Sequence, residues 1–313
     1  MHTYNDAFYE LKKKLQPLYD EGEAAAVAHL FLEFVTGLSK ADRLLRKDSM
    51  MSERQQELYD AKSIELTKGK PIQYITNNAY FMGRDYLANE NVLIPRPETE
   101  ELVQWVIDDV VGLKSAVAYP DATNIEGPQR LRVLDIGSGS GCIGLSLARL
   151  VPGAIVTCAD VSKEAIEVLK TNIEWVFTAA EKKKGIDNIT IKTLDFLDEA
   201  QRNKQLGRYE VIVSNPPYIP VSEKKNMHKN VKDFEPSVAL FVPNDDALVF
   251  YKAIAAFGKG HLSDNGYIFC ELDAAHAEEC KALFEEQGYK DVEIKKDMHG
   301  NWRMLKCGQM KNS

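Results

Sequence analysis

The chain has little of what would set it apart from ordinary globular proteins. Its five cysteines, Cys142, Cys158, Cys270, Cys280 and Cys307, are an odd set with no CxxC spacing in 313 residues. That excludes a disulfide framework and a zinc knuckle, and fits a reducing compartment. Six histidines, His2, His29, His228, His261, His276 and His299, show neither HExxH nor paired ligand spacing, so no metal site is expected. No uncharged apolar run approaches the roughly 20 residues of a membrane-spanning helix. The first thirty residues, with Asp6, Glu10, Lys12, Lys13, Lys14, Asp20, Glu21 and Glu23, hold no apolar signal region, so a cytoplasmic protein is expected. Positive charge is also short: 39 Lys and Arg against 47 Asp and Glu leave a net charge of −8, so no global field collects nucleic acid or anionic membrane. No internal repeat or low-complexity segment stands out.

What is present is ordinary folding material, 44% apolar and 27% charged residues, in a chain longer than one core requires. Two bodies are expected. From Tyr4 to about Lys70, Phe8, Leu11, Leu15 and Leu18, then Ala26, Leu30, Leu32, Phe34 and Val35, then Leu58, Ile64 and Leu66 recur at helical intervals. Asp42, Ser49 and Ser52 suit N-caps, and Gly22, Gly37, Gly69 and Pro71 suit stops. A stretch rich in aromatic and β-branched residues follows, Ile72–Ile75, Ala79–Gly83, Tyr86–Leu87 and Val92–Ile94, and reads as strands of a β-hairpin connector. Beyond a helix from Glu98 to Val111 and a polar loop from Lys114 to Gln129, strand-like runs at Leu131–Ile136, Ala154–Ala159, Ile189–Thr193, Glu210–Ser214 and Tyr267–Glu271 alternate with helical segments. This predicts an α/β, doubly wound parallel sheet, with Val292–Lys295 and Trp302–Leu305 closing one edge as an antiparallel pair. The expected division is a helical domain over 1–70, the connector over 71–97 and a larger α/β domain over 98–313.

The first of these strands runs into Gly137-Ser138-Gly139-Ser140-Gly141 and then a helix. Glycines let the backbone turn sharply and approach a ligand at the carboxyl end of a strand. The next strand ends at Asp160, about 20 residues on, where a carboxylate accepts from both ribose hydroxyls. NAD and S-adenosylmethionine both satisfy this pattern, and GxGxG in place of GxGxxG tilts it toward S-adenosylmethionine. The decisive segment is Val211-Ile212-Val213-Ser214 followed by Asn215-Pro216-Pro217-Tyr218. Two prolines remove backbone donors and fix φ, which holds Asn215 and the following carbonyl rigidly at the sheet edge. An amide oxygen and a carbonyl together accept both hydrogens of a planar NH2 group, while Tyr218 offers a face to pack on it. Alkylation of an amide or aromatic amine suits this geometry.

Asn215-Pro216-Pro217-Tyr218, together with Asn91-Val92-Leu93-Ile94-Pro95-Arg96-Pro97-Glu98-Thr99-Glu100, resembles the protein-(glutamine-N5) methyltransferases of the HemK/PrmC type. The likeness extends over nearly the whole chain, through Pro71–Ile75, Glu235-Pro236, Asp297, Gly300 and Arg303. It implies a Rossmann-like methyltransferase fold and methyl transfer to the glutamine amide of the GGQ loop in peptide chain release factors. It implies further that Gly137, Ser138, Gly139, Ser140 and Gly141 line the S-adenosylmethionine methionine moiety, Asp160 takes the ribose, and Asp195 and Phe196 lie by the adenine. Asn215, Pro216, Pro217 and Tyr218 would hold and orient the glutamine amide, with Asn215 also beside the cofactor. The chain departs from the family in having Phe196 where many relatives carry Trp, and Glu271-Leu272-Asp273-Ala274-Ala275-His276 where the family usually shows a glycine and later a glutamine after the acidic residue.

Other residues carry two readings. Arg96 and Pro97 either border the substrate channel or start a helix, with proline at N1 and Glu98 complementing the dipole. Lys182, Lys183 and Lys184 read as a solvated helix end. Lys224, Lys225, His228, Lys229 and Lys232 read as a loop that either covers the site or simply faces solvent. The expected protein is a monomer with release factors as partners and no nucleic-acid or membrane partner. Its rivals are an adenine-N6 methyltransferase, a methyltransferase of a ribosomal-protein glutamine, a non-catalytic adaptor and a dehydrogenase.

Overall fold

The structure, a computed structural model, describes residues 1–116, 131–185 and 188–308. Most of the expected loop from Lys114 to Gln129 lies outside the described residues. Two compact units are present. One comprises Met1–Asn78 with Met227–Phe234, and the other takes the described residues of 79–226 and 235–308.

The first unit is helical: α1 (Tyr4–Leu15), α2 (Glu21–Thr36), α3 (Lys40–Leu45), α4 (Glu53–Thr67) and α5 (Ile72–Thr76). Its helix starts are set by short polar side chains that accept the otherwise orphaned N–H groups of the first turn. Thr3, Asp20, Ser39 and Ser52 do so, and Ser52 with Gln55 completes a capping box. Of the expected caps, only Ser52 takes that position. Asp42 instead lies in the first turn of α3, and Gly22 lies inside α2 rather than ending a helix. Gly37 does end α2, in the left-handed conformation that glycine adopts without strain.

The strand expected at Ile72–Ile75 is corrected to a helix. Ile72 and Ile75 both enter the core formed by Leu11, Leu15, Phe31, Tyr59 and Leu66. Residues three apart share a helix face but lie on opposite faces of a strand, so burying both requires the helix. The segment Met227–Phe234 clusters here as well, with Lys229 and Phe234 against Gly69.

The second unit opens with a short hairpin, β1 (Ala79–Phe81) and β2 (Arg84–Tyr86), joined by Met82 and Gly83, both at positive φ. Such a two-residue turn matches strand twist. Val92–Ile94, expected as strand, forms none. The remaining elements run α6 (Pro97–Ala116), β3 (Leu131–Ile136), α7 (Cys142–Leu150), β4 (Ala154–Asp160), α8 (Lys163–Val176), α9 (Ala179–Gly185), β5 (Ile189–Thr193), α10 (Glu199–Gln205) and β6 (Tyr209–Ser214). A small bridge of β7 (Ile219–Pro220) and β8 (Phe241–Val242) flanks α11 (Lys229–Lys232) and α12 (Ser237–Leu240) in sequence. The chain continues through α13 (Val249–His261), β9 (Leu262–Glu271), α14 (Ala277–Glu286), β10 (Lys290–Lys296) and β11 (Trp302–Gly308).

The main sheet has seven strands in the order β10-β11-β9-β6-β3-β4-β5. The pairs β5·β4, β4·β3, β3·β6 and β6·β9 are parallel, while β11 is antiparallel to both β9 and β10. This is the doubly wound methyltransferase-like sheet expected, including its antiparallel closure. Buried residues form a core on each side. Val133, Val156, Val211, Val213 and Phe269 pack toward α6 and α7, and Leu134, Ile212 and Ile268 pack with Tyr251 and Phe257 of α13 and with α14. All five cysteines are free thiols, and Cys158, Cys270, Cys280 and Cys307 are buried. Among the described residues no helix is long and apolar enough to cross a membrane.

Candidate active site

Strand order reverses between β3 and β6, which opens a crevice at their carboxyl ends. The Gly-rich loop leaves β3 there. Asn215-Pro216-Pro217-Tyr218 leaves β6 immediately beside it, and Ser214 ties the two strand ends by donating to the Ile136 carbonyl at 2.8 Å.

Gly137, Gly139 and Gly141 all have positive φ, at 69°, 53° and 81°. The Gly137 and Ser138 N–H groups donate to the Ala159 carbonyl, which fastens the loop to the end of β4. The Gly139 N–H donates to Asp160 Oδ2 at 2.8 Å, and the Ser162 N–H to Oδ1 at 2.9 Å. Burial raises the Asp160 carboxyl above its usual range, and these backbone donors draw it back.

Two supports of this loop escaped sequence reasoning. A Cβ on Gly144 would sit 2.6 Å from Cys158 Sγ and 2.9 Å from Asp135 Oδ2, so only glycine lets α7 approach the sheet this closely. Its N–H donates to Asp135 Oδ2 at 2.9 Å. Asp135 is wholly buried, and desolvation pushes its carboxyl up to about 7. The signal for Gly144 was present, three residues past Gly141 at the end of the glycine run. The second support is Asn172 on α8, fully buried, whose amide N–H groups donate to the Ser140 carbonyl at 2.8 Å and the Leu87 carbonyl at 3.1 Å. Its oxygen accepts the Leu87 N–H at 2.7 Å. One amide thus links the glycine loop to the chain leaving the hairpin.

Asp195 is exposed, whereas Phe196 is only 5% exposed. Phe196 meets Phe257 edge-on, with the Arg202 guanidinium 5.5 Å above its ring. The two residues expected near an adenine therefore lie at different depths, one a solvated carboxylate and the other a wall of the core.

Around Asn215 the structure assembles residues distant in sequence. Asn215 Nδ2 donates to Thr99 Oγ1 at 3.1 Å, and Thr99 Oγ1 donates to Glu271 Oε2 at 2.6 Å. The Tyr218 hydroxyl donates to Glu271 Oε1 at 3.4 Å, and the Tyr251 hydroxyl to the Glu271 carbonyl at 2.9 Å. Thr99 and Glu271 are each 2% exposed. Burial pushes the Glu271 carboxyl up to about 7, opposed by the Thr99 hydrogen bond and the positive charge of Arg303. Arg303 is itself held by Asp297, which accepts from its Nε at 3.1 Å, while its guanidinium donates to the Leu272 carbonyl at 3.2 Å.

Arg96 and Pro97 lie at the start of α6. Pro97 is its first residue and Glu98 stands in its first turn. Arg96 donates to the buried Glu235 at 2.5 Å, whose other oxygen takes the Ile94 N–H. The Arg96 side chain is thus engaged with a carboxylate of its own chain.

Comparison with known proteins fits this arrangement. The family model for the PrmC N-terminal domain matches residues 6–76, and that for the Methyltransferase small domain matches residues 122–233. A release factor glutamine methyltransferase of Flavobacterium psychrophilum is 35% identical over 294 residues, which cover 93% of this chain and 94% of that protein. One of Bacteroides thetaiotaomicron is 34% identical over 295 residues, covering 94% and 96%. The chain belongs to the release factor glutamine methyltransferase family. Among solved structures, the hMettl16 catalytic domain covers 80% of this chain and 81% of its own at TM-score 0.51; at 16% identity this likeness concerns the fold alone.

Membership in this family implies use of S-adenosylmethionine, and the residues present fit that cofactor. An added Cβ at Gly137 or Gly139 would meet no atom within 4 Å, so the loop presents an open backbone cradle. Behind it, Asp135 Oδ1 is a buried carboxyl oxygen with no hydrogen-bond partner among the described residues.

Proposed function

We propose that this enzyme transfers a methyl group from S-adenosylmethionine to the side-chain amide nitrogen of the glutamine in the GGQ motif of peptide chain release factors. The observation that carries the reading is the rigid Asn215-Pro216-Pro217-Tyr218 segment beside the glycine loop, with the Asn215 amide nitrogen already engaged by Thr99.

Gly137, Ser138, Gly139, Ser140 and Gly141 hold the methionine moiety against open backbone, and Asp160 accepts from the ribose hydroxyls. Asp195 and Phe196 border the adenine, Phe196 as a wall. Bound there, S-adenosylmethionine supplies an electrophilic methyl group on a sulfonium. The chain's own residues prepare the nucleophile. Asn215 Oδ1 and the carbonyl that follows it accept the two hydrogens of the glutamine amide, and Tyr218 packs on its plane. An amide lone pair is delocalised and weakly nucleophilic, so holding both hydrogens toward acceptors raises electron density on nitrogen and fixes its approach. Closure of the site around the glutamine excludes water that would compete for those acceptors. The helical unit recognises the release factor, the hairpin connects it to the catalytic unit, and Arg96 and Pro97 border the channel through which the glutamine arrives.

Incubating the protein with methyl-labelled S-adenosylmethionine and either a release factor or nucleic acid tests the reading. Label is expected in the release factor alone; label only in nucleic acid would overturn it.

A further inference from the structure

The amide of Asn215 is almost symmetrical in shape, so a pocket that merely fits it accepts either flip. The two flips are chemically opposite. One offers the substrate an oxygen acceptor, and the other offers an NH2 donor, which repels a glutamine amide nitrogen and attracts a carboxylate or carbonyl oxygen. Something beyond shape must therefore select the flip.

The residues behind Asn215 supply that selection. A hydroxyl has one hydrogen, and Thr99 spends it on Glu271 Oε2 at 2.6 Å. What Thr99 has left toward Asn215 is lone pairs, so Asn215 must turn its NH2 inward, as its 3.1 Å contact shows. In its ionised form, which prevails above about pH 7, Glu271 only accepts, so there the direction of donation along Asn215, Thr99 and Glu271 is imposed from the Glu271 end. The other Glu271 oxygen takes the Tyr218 hydroxyl, so both polar side chains of the tetrapeptide depend on one carboxylate. That carboxylate is 2% exposed, and burying a carboxylate is costly where an apolar residue would pack at no such penalty.

We infer that Glu271, acting through the Thr99 hydroxyl, is a positioning residue that locks the Asn215 amide with its oxygen toward the substrate, and so selects an amide over a carboxylate as methyl acceptor. This rests on the activity proposed above. Neither Glu271 nor Thr99 is assigned contact with the reacting atoms. Both act on the orientation of Asn215.

The test uses the full-length protein, a release factor as substrate, and the same release factor with its target glutamine changed to glutamate as inhibitor. Thr99→Val keeps the side chain's shape and removes the hydroxyl. It is expected to lower kcat at least tenfold, leave the Kd for S-adenosylmethionine within twofold of wild type, and strengthen inhibition by the glutamate-bearing protein at least fivefold. Thr99→Ser restores the hydroxyl and is expected to return kcat to within threefold of wild type. Glu271→Gln, which still offers an acceptor oxygen but now also a donor, should fall between wild type and Thr99→Val; it provides the reading should Thr99→Val fail to fold. Wild-type kcat in Thr99→Val, parallel loss of cofactor affinity, unchanged inhibition by the glutamate form, or no rescue by serine would overturn the inference. A wild-type protein that leaves the release factor unlabelled would instead overturn the proposed activity.

Discussion

Asp160 and Asn215 close the two halves of the crevice, and their different surroundings assign them different losses. Asp160 holds the Gly139 and Ser162 N–H groups and shapes the cofactor loop. Asn215 touches Thr99 and, in the function proposed above, faces the reacting amide. Asn215→Ala is therefore expected to bind S-adenosylmethionine within about threefold of wild type while losing about 100-fold or more in turnover, as removal of an oriented hydrogen-bonding group in a catalytic site does. Asp160→Ala should chiefly weaken the cofactor, by about tenfold for a lost charged acceptor. Isothermal titration with single-turnover kinetics separates the two, and equal loss of cofactor affinity in both variants would contradict the assignment. Asp135 gives a pH prediction. Its folded carboxyl stands at about 7 against an ordinary 3.8, so the stability it supports is complete below the ordinary value and declines as pH rises toward 7. Asp135→Asn cannot ionise. Its thermal midpoint should gain on wild type between about pH 4 and pH 8, and a pH-independent difference would refute the buried, protonated carboxyl. At this scale the sequence revealed groups whose chemistry is contiguous, such as Gly137 to Gly141 and Asn215 to Tyr218. It concealed the pairing of Thr99 with Glu271, which are 172 residues apart and share no local pattern.

At the scale of elements, the alternation of strands and helices was legible because buried parallel strands leave continuous apolar runs such as Val211–Val213. The segment Ile72–Ile75 was not. Aromatic and β-branched composition favours a strand, and only the core that receives Ile72 and Ile75 together decides for a helix. Helix α7 shows a similar dependence on its surroundings. Its glycine at 144 lowers helix propensity, yet an added Cβ there would sit 2.6 Å from Cys158 Sγ and 3.2 Å from Val156 Cγ1 of β4. Gly144→Ala would improve propensity by about 1 kcal/mol if the site were open. With Cys158 Sγ and Asp135 Oδ2 in the way, it should instead destabilise by about 2 kcal/mol and loosen the cofactor loop. Urea denaturation decides: a raised midpoint would mean that the helix packs less closely on the sheet than described. The Asn172 amide, joining Leu87 to Ser140, couples the loop's geometry to α8 and to the hairpin's exit rather than to β3 alone.

At the scale of the molecule, length and charge carry the argument. The α/β unit contains the glycine loop, Asp160, the Asn215 segment and the Glu271 relay, so the proposed chemistry needs no residue of the helical unit. A second body of helices is consistent with a large substrate that must be held while one side chain is delivered. A net charge of −8 fits a protein substrate better than a polyanion, which matters because an Asn-Pro-Pro-Tyr segment serves either a glutamine amide or an exocyclic base amine. The most direct measurement is mass spectrometry of a release factor after incubation with this protein and S-adenosylmethionine, with the GGQ glutamine intact or changed to alanine. The account predicts one added methyl group on that glutamine in the intact factor and none in the alanine form. Methylation that persists in the alanine form, or that maps to another residue, would contradict it.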